Sequence, residues 1–341
     1  MRTTAQPSEA TAFWGAPPEG PFSLLPRPFP KLPKRVHKKA APQSEATLAQ
    51  ALAGRRVGLV LSAGYFGFFG HAGFLGGLLA AGLRPAAYAG TSAGGLVSAF
   101  AAAGLQPEAL EALVLGLRRE SFFDVDVLGG LADAARGGTG GMGLLAGRRF
   151  RTLLESALPV RRFEECPTPL LLVAADVKNA CSVALTTGEL APAIHATCAY
   201  PGLFRPVPRG EALLWDGGLV DKAPALALSR HLPGALDALL VHLLPTRGEA
   251  ALGGPFAYAR GLSAGVAALR RSHLELQCAL LAAEGLVVYL VVSELPRVSA
   301  RSLHKGPEAV AAGRAAAQRA LAQPAQSLRP SGPRAEKGGP S

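Results

Sequence analysis

Gly90-Thr-Ser92-Ala-Gly94 is the stretch from which the fold of this chain can be inferred. The residues before it, Ala86–Ala89, predict a short strand, and those from Ser92 to about Ala103 predict a helix. Gly-x-Ser-x-Gly between a strand and a helix is typical of a nucleophile elbow, a tight turn that exposes the serine hydroxyl. Both glycines are expected because Cβ atoms two residues before and after the serine would collide. The alternative is an ordinary turn of small residues.

The sequence on the N-terminal side of this turn predicts an α/β unit. Val57–Leu61 predicts a buried strand, glycines at 64, 67 and 70 interrupt the pattern, and a helix is predicted from about His71 to Ala81. Residues 57–83 are apolar enough to suggest a membrane span, but strand, glycine turn and helix in succession favour an α/β fold. Further elements are predicted as strands at 170–175, 238–244 and 287–292, and as a helix at 307–322.

The ends of the chain differ from its middle. We predict one domain over residues 47–323, a Pro-rich basic N-terminal tail at 1–46 and a disordered C-terminal tail at 324–341. No apolar segment of signal-peptide length follows the first residues, so a cytoplasmic location is predicted. Residues 136–143 (Arg-Gly-Gly-Thr-Gly-Gly-Met-Gly) are too rich in glycine for a regular element, and a mobile loop is predicted there.

Composition excludes several classes of protein. Hydrophobic residues make up 49% of the 341 residues, which is ample for a large core and excludes a disordered chain. The four cysteines include no Cys-x-x-Cys pair, so neither a zinc site nor a disulfide framework is predicted. We therefore expect free thiols, no metal and no cofactor.

The net charge of +11 lies mostly at the two ends of the chain. Residues 1–50 have seven Lys/Arg against three Asp/Glu, and residues 297–341 have eight against two, which gives +4 and +6. A nucleic-acid-binding protein more often has its basic residues on the folded body, so no nucleic acid is predicted as a partner. Basic ends favour peripheral contact with anionic membrane surfaces, and the alternative is that they only improve solubility.

A serine nucleophile needs a general base, and the residues leave two solutions open. One is a histidine late in the chain, as in α/β-hydrolases, with four candidates: His231, His242, His273 and His304. The other is a carboxylate that acts on the serine directly. Asp216-Gly217-Gly218 is the candidate, because it follows an apolar stretch and paired glycines allow close approach of the backbone.

Four blocks in a fixed order resemble the patatin-like phospholipases, a family of serine–aspartate lipid acyl hydrolases. They are Leu-Ser-Ala-Gly-Tyr-Phe-Gly-Phe-Phe-Gly-His-Ala-Gly-Phe-Leu at 61–75, the elbow at 90–94, Ala-Thr-Cys-Ala-Tyr-Pro-Gly-Leu-Phe-Arg-Pro-Val at 196–207, and Asp-Gly-Gly-Leu-Val-Asp-Lys-Ala-Pro at 216–224. Their order is more specific than any one motif. The resemblance implies a three-layer α/β/α domain with a mainly parallel central sheet.

The resemblance also implies a role for each matching residue. Ser92 would be the nucleophile and Asp216 the general base, with no part for a histidine. Backbone N–H groups of the turn near Gly64 would bind the oxyanion, assisted by the turn around Ala93. The glycines implied by the motifs are Gly90 and Gly94 in the elbow and Gly217 and Gly218 in the aspartate block.

The first block departs from the family pattern Gly-Gly-Gly-x-Arg-Gly. Counted back from His71, this chain has Ala63-Gly64-Tyr65-Phe66-Gly67-Phe68, so Gly67 stands in the place of the arginine. A positive φ at Tyr65 would cost about 1 kcal/mol or more. Which of the N–H groups of Gly64, Tyr65 and Gly67 would bind the oxyanion is thus left open.

The expected function is hydrolysis of the acyl esters of a phospholipid or neutral lipid through an acyl-Ser92 intermediate. Two alternatives remain from the sequence. One is a lipid-binding or regulatory protein on the same scaffold, with catalysis impaired by the altered first block. The other is an acyltransferase, in which an acceptor other than water takes the acyl group.

Overall fold

The computed structural model describes residues 46–122, 124–245 and 257–328. The helices in these ranges are α1 Leu48–Leu52, α2 Phe68–Ala80, α3 Ala93–Ala102, α4 Pro107–Leu115, α5 Val127–Ala135, α6 Arg148–Ala157, α7 Leu190–Cys198, α8 Ala225–His231, α9 Ala257–Ala283 and α10 Gly306–Ala322. The strands are β1 Val57–Leu61, β2 Ala87–Thr91, β3 Gly143–Leu145, β4 Leu170–Asp176, β5 Cys181–Leu185, β6 Gly202–Phe204, β7 Val207–Arg209, β8 Ala212–Asp216, β9 Ala238–Leu243, β10 Val287–Val292 and β11 Ser327–Leu328.

Most strands form one mixed sheet in the order β11-β10-β9-β1-β2-β4-β8-β7, with β5 also paired to β4. The five strands from β10 to β4 are mutually parallel, whereas β5, β7, β8 and β11 pair antiparallel with their neighbours. A small second sheet pairs β3 with β6. The predicted α/β fold with a mainly parallel central sheet is therefore confirmed.

The sheet buries apolar side chains on both faces, which gives the three layers. Along β9, Leu240 belongs to one buried cluster, and its neighbours Leu239 and Val241 belong to the other. The first cluster includes buried residues of α2, α3, α7 and α10, and the second includes those of α8 and α9. Because successive strand residues point to opposite faces, this alternation requires helices on each side.

Helices α2 and α10 pack closely through glycines. A Cβ on Gly73 would lie 1.9 Å from the carbonyl oxygen of Val310, and one on Gly313 would lie 2.1 Å from that of Gly70. Larger residues at these positions would force the two helices apart. Gly70 and Gly73, within the apolar stretch at 57–83, therefore allow α2 to pack closely against α10. No helix among the described residues has both the length and the apolarity needed to cross a bilayer.

Two predictions about the chain need correction. The glycine-rich segment 136–143 is not wholly irregular: it contains a 3-10 turn at Gly140–Met142 and the first residue of β3. A Cβ on Gly140 would lie 2.2 Å from the carbonyl oxygen of Gly130, so glycine here permits close packing of the backbone. At the C-terminal end, the predicted boundary at 323 falls short, because β11 pairs with Val288 and Tyr289 of β10. The remaining tail residues, 1–45 and 329–341, lie outside the described residues.

Candidate active site

Ser92 has a backbone conformation that is rare for a residue with a side chain. Ser92 lies at the junction between β2 and α3 and has a φ of 56° and a ψ of −123°. Backbone strain of this kind clusters at functional sites. A Cβ on Gly90 would lie 2.5 Å from the backbone of Gly94, as predicted. Gly94 itself is restricted by a different neighbour, since its Cβ would lie 2.1 Å from the carbonyl oxygen of Leu61 at the end of β1.

Strand β4 brings Asp216 to Ser92. Thr91, the last residue of β2, pairs with Val173, and Asp216, the last residue of β8, pairs with Ala174. Strand β5 pairs with β4 across both of these regions and so occupies the other edge of β4. Strands β2 and β8 therefore lie end to end along the same edge of β4. The Ser92 hydroxyl donates a hydrogen bond of 2.6 Å to Asp216 Oδ2.

The second carboxylate oxygen of Asp216 is also bonded. Asp216 Oδ1 accepts a hydrogen bond of 2.7 Å from the backbone N–H of Gly218. Gly217 allows this turn, because a Cβ there would lie 2.1 Å from the carbonyl oxygen of Val173. The predicted glycine pair therefore fixes the orientation of the carboxylate toward Ser92.

Burial makes Asp216 a stronger base than an exposed aspartate. The side chain is almost fully buried, and this desolvation raises its pKa from 3.8 to about 6. The hydrogen bonds from Ser92 and Gly218 and the positive charge of Arg270 act in the opposite direction and keep the pKa from rising further. The carboxylate is ionised at neutral pH while its pKa lies close enough to accept a proton effectively.

The turn between β1 and α2 contains the predicted oxyanion residues. The residue with positive φ is Phe66, at 53°, and not Tyr65. The N–H of Gly67 donates to the carbonyl oxygen of Gly64 at 2.9 Å and closes the turn, so it is already engaged. Within the described part of the chain, the N–H groups of Gly64, Tyr65 and Ala93 have no acceptor, and all three residues line the cavity that contains Ser92.

Ser92 and Asp216 line a cavity of about 930 Å³. The apolar part of its wall consists mainly of aromatic and leucine side chains, which include Phe66, Phe68, Leu117, Phe122, Phe150, Leu203 and Phe204. Tyr65 and Tyr200, both exposed, contact each other edge to face with ring centroids 6.4 Å apart. A cavity of this size and apolarity can bind an acyl chain beside the serine hydroxyl.

Comparison with known proteins agrees with this geometry. Residues 59–229 match the family model described as patatin-like phospholipase, which is half of the chain and includes Ser92 and Asp216. The chain belongs to the patatin-like phospholipase family.

The matched relatives are longer than this chain. Over 198 residues it is 30% identical to an uncharacterized NTE family protein of Mycobacterium bovis and to one of Mycobacterium tuberculosis; the match covers 58% of this chain but only 32% of each relative. The patatin-like chain is also similar to the crystal structure of VipD from Legionella pneumophila, with 13% identity and a TM-score of 0.42, covering 81% of this chain and 68% of that one.

The candidate histidines lie elsewhere in the patatin-like domain. In the described residues, Ser92 and Asp216 have no hydrogen bond to any histidine. His242 is buried against His71 with the two Nδ1 atoms 2.9 Å apart, and His273 Nδ1 contacts the carbonyl oxygen of Val220. The geometry therefore brings Asp216, and none of the four predicted histidines, to the serine.

Three residues at the site were not singled out from the sequence. Thr197, within the third block, accepts a hydrogen bond of 3.0 Å from the Ser92 N–H and donates to the carbonyl oxygen of Val173, so it braces the elbow. Lys222 and Arg270 line the cavity. Lys222 lies within the aspartate block at 216–224, but no sequence pattern points to Arg270, because it lies in α9, outside the matched region.

Proposed function

We propose that this chain hydrolyses acyl esters of lipids with Ser92 as nucleophile and Asp216 as general base. The observation that supports it most is the 2.6 Å hydrogen bond from Ser92 Oγ to Asp216 Oδ2 inside an apolar cavity. Membership of a family of patatin-like lipid hydrolases supports the lipid substrate.

In the proposed reaction, Ser92 Oγ attacks the ester carbonyl carbon while Asp216 accepts the serine proton. The N–H groups of Gly64, Tyr65 and Ala93 are the available donors for the oxyanion that forms. Collapse of this intermediate breaks the bond to the alcohol, which leaves with the proton from Asp216. Water then attacks the acyl-serine, Asp216 takes a proton from the water, and the acid is released as Ser92 regains its proton.

Labelling with a fluorophosphonate probe tests this proposal. The purified protein should form a covalent adduct on Ser92 and should hydrolyse a short-chain p-nitrophenyl ester. Labelling without turnover in water, but with acyl transfer to an added alcohol, would favour the acyltransferase. A folded protein with neither labelling nor turnover would favour the lipid-binding alternative, in which the altered turn at Phe66 impairs catalysis.

We also propose that the protein contacts anionic lipid surfaces. Helix α9 exposes Tyr258, Leu262, Leu269, Leu276 and Leu280, whose spacing places them within one narrow face of the helix. An apolar face on a protein whose ends are basic is the combination that binds an anionic interface. Helix α9 also contributes Ser263 and Arg270 to the cavity wall, so this contact would bring lipid close to the site.

A further inference from the structure

The charged side chains of the cavity wall are strongly unbalanced. Among the described residues that line it, Asp216 is the one acidic side chain, whereas Lys222, Arg270 and Arg297 are basic. With Asp216 ionised, the wall keeps a net charge of +2. An apolar cavity that only bound a neutral glyceride would not need this charge.

The positive side chains come from different elements than the aromatic ones. The aromatic wall comes from the turn before α2, from residues 117–150 and from β6. The basic and hydroxyl groups come from Lys222, from α9 and from the segment after β10, which adds Ser293, Ser299 and Ser302. The cavity therefore offers apolar side chains that suit an acyl chain, and a set of basic and hydroxyl groups, called here the basic portion, that suits an anion. Arg270 lies near enough to Lys222 for its charge to lower the pKa of that side chain.

Two polar groups in the basic portion are buried with no hydrogen-bond partner among the residues that the structure describes. They are Arg270 Nε and Ser293 Oγ, and Ser293 is only 5% exposed. Buried polar groups in folded proteins are usually paired, so these two groups of the cavity wall are available to bind ligand atoms. The Nζ of Lys222, in contrast, is already bonded, since it donates to the carbonyl oxygen of Leu244 at 2.5 Å.

We propose that Arg270, with Arg297 and Ser293, binds a phosphate on the alcohol portion of the ester, so that the site selects net-anionic lipids over zwitterionic and neutral ones. The guanidinium group suits this role because its planar set of donors matches two phosphate oxygens. A phosphocholine group would bring its own cation against a wall that is already positive. This selectivity rests on the proposed ester hydrolysis, but the anion site can be tested without it.

Binding to Ser92→Ala protein tests the anion site independently of turnover. Octyl phosphate, measured by calorimetry, should bind at least tenfold more tightly than octyl phosphocholine, and Arg270→Gln should remove most of that difference. Arg270→Lys should bind with intermediate affinity, since it keeps the charge without the planar donors. Arg271→Gln is the matched control, because Arg271 is largely exposed, pairs with Glu275 at 2.9 Å and does not line the cavity. Thermal unfolding confirms that each variant is folded.

Hydrolysis gives the second measurement. The ratio of kcat/KM for an octanoyl glycerol phosphate to that for octanoyl glycerol should fall at least tenfold in Arg270→Gln and stay constant in Arg271→Gln. An equal loss on both esters, with a shifted acid limb of the pH profile, would mean that Arg270 acts only on Asp216 and would overturn the selectivity.

Three further outcomes are decisive. Equal affinity of octyl phosphate for wild type and Arg270→Gln would overturn the anion site. If octanoate binds as tightly as octyl phosphate, with the same dependence on Arg270, then Arg270 binds the carboxylate of the released fatty acid. That result would overturn the assignment of Arg270 to a phosphate headgroup. Octyl phosphate binding that depends on Arg270 in a protein that hydrolyses no ester would support the anion site and reject the hydrolase.

Discussion

Ser92 Oγ and Asp216 Oδ2 are 2.6 Å apart, although 124 residues separate them in the chain. Consecutive residues of β4 explain the contact, because Val173 pairs with the residue before Ser92 and Ala174 pairs with Asp216 itself. The pairing of a parallel and an antiparallel strand along the same edge of β4 therefore assembles the candidate dyad.

Replacing the serine should remove the activity without unfolding the protein. We expect Ser92→Ala to lower kcat on a short-chain ester by about 10³-fold or more, because the hydroxyl is the proposed nucleophile. Fluorophosphonate labelling should disappear, and the melting temperature should change little. Retained turnover in a variant that no longer reacts with the probe would place the chemistry at another residue.

Asp216→Asn should be as damaging as loss of the serine, because the amide keeps the shape of the carboxylate but cannot accept the proton. In the wild-type protein, kcat/KM should fall about tenfold per pH unit below about pH 6, where Asp216 becomes protonated. Single replacements of five histidines by Gln should leave most of the activity of the folded protein: His195, His231, His242, His273 and His304. A folded but inactive histidine variant beside an active Asp216→Asn variant would contradict the dyad.

Asp216→Asn should also stabilise the fold at neutral pH. The pKa of Asp216 is about 6 in the folded protein and 3.8 when unperturbed. Between these values the folded state binds more protons, so stability falls as the pH rises through this window, and the cost persists above it. The variant should gain up to about 3 kcal/mol in free energy of unfolding at pH 8 and little at pH 4. Urea titrations at both pH values measure the difference.

The buried pair of His71 and His242 should make the protein sensitive to acid. Burial lowers the pKa of His71 from 6.5 to about 4 and that of His242 well below its ordinary value. The unfolded chain therefore binds more protons between pH 6.5 and 4, and stability should be lost progressively as the pH falls through that window. His242→Phe should flatten this dependence, which urea midpoints across the pH range would show. An unchanged pH dependence in the folded variant would assign the acid sensitivity to other groups.

Gly94, the second glycine of the elbow, should tolerate no side chain. Gly94→Ala should cost about 2–3 kcal/mol of unfolding free energy or prevent folding, because its Cβ would overlap the carbonyl oxygen of Leu61. Gly261→Ala in α9 is the matched control, since no atom of the described residues lies within 4 Å of its Cβ. That substitution should be neutral or stabilise the protein by about 0.5–1 kcal/mol. Equal stability of the two variants would show that the elbow can relax.

Vesicle binding should depend on the apolar face of α9 and on salt. Leu269→Glu should weaken cosedimentation with anionic vesicles severalfold, while Ala264→Glu, exposed on another face of α9, adds the same charge with a smaller effect. Removing residues 1–45 and 329–341, which have ten Lys/Arg against four Asp/Glu, should weaken binding at low salt most. Equal binding by the trimmed protein would limit the ends to a role in solubility.

The sequence by itself predicted the five parallel strands of the sheet, helices α2, α3 and α10, and the two candidate catalytic residues. Strands β1 and β10 have the predicted bounds, and the elbow and aspartate blocks identify Ser92 and Asp216, because these signals lie within short windows of sequence. The tertiary structure decided the rest. The positive φ of the turn before α2 falls on Phe66 and not on Tyr65, and the N–H of Gly67 is bonded within that turn. Arg270 reaches the cavity from α9, far from the motifs in the chain. The pKa of Asp216 is raised by its burial, which depends on packing between elements that are far apart in the chain. A short sequence motif cannot predict this packing.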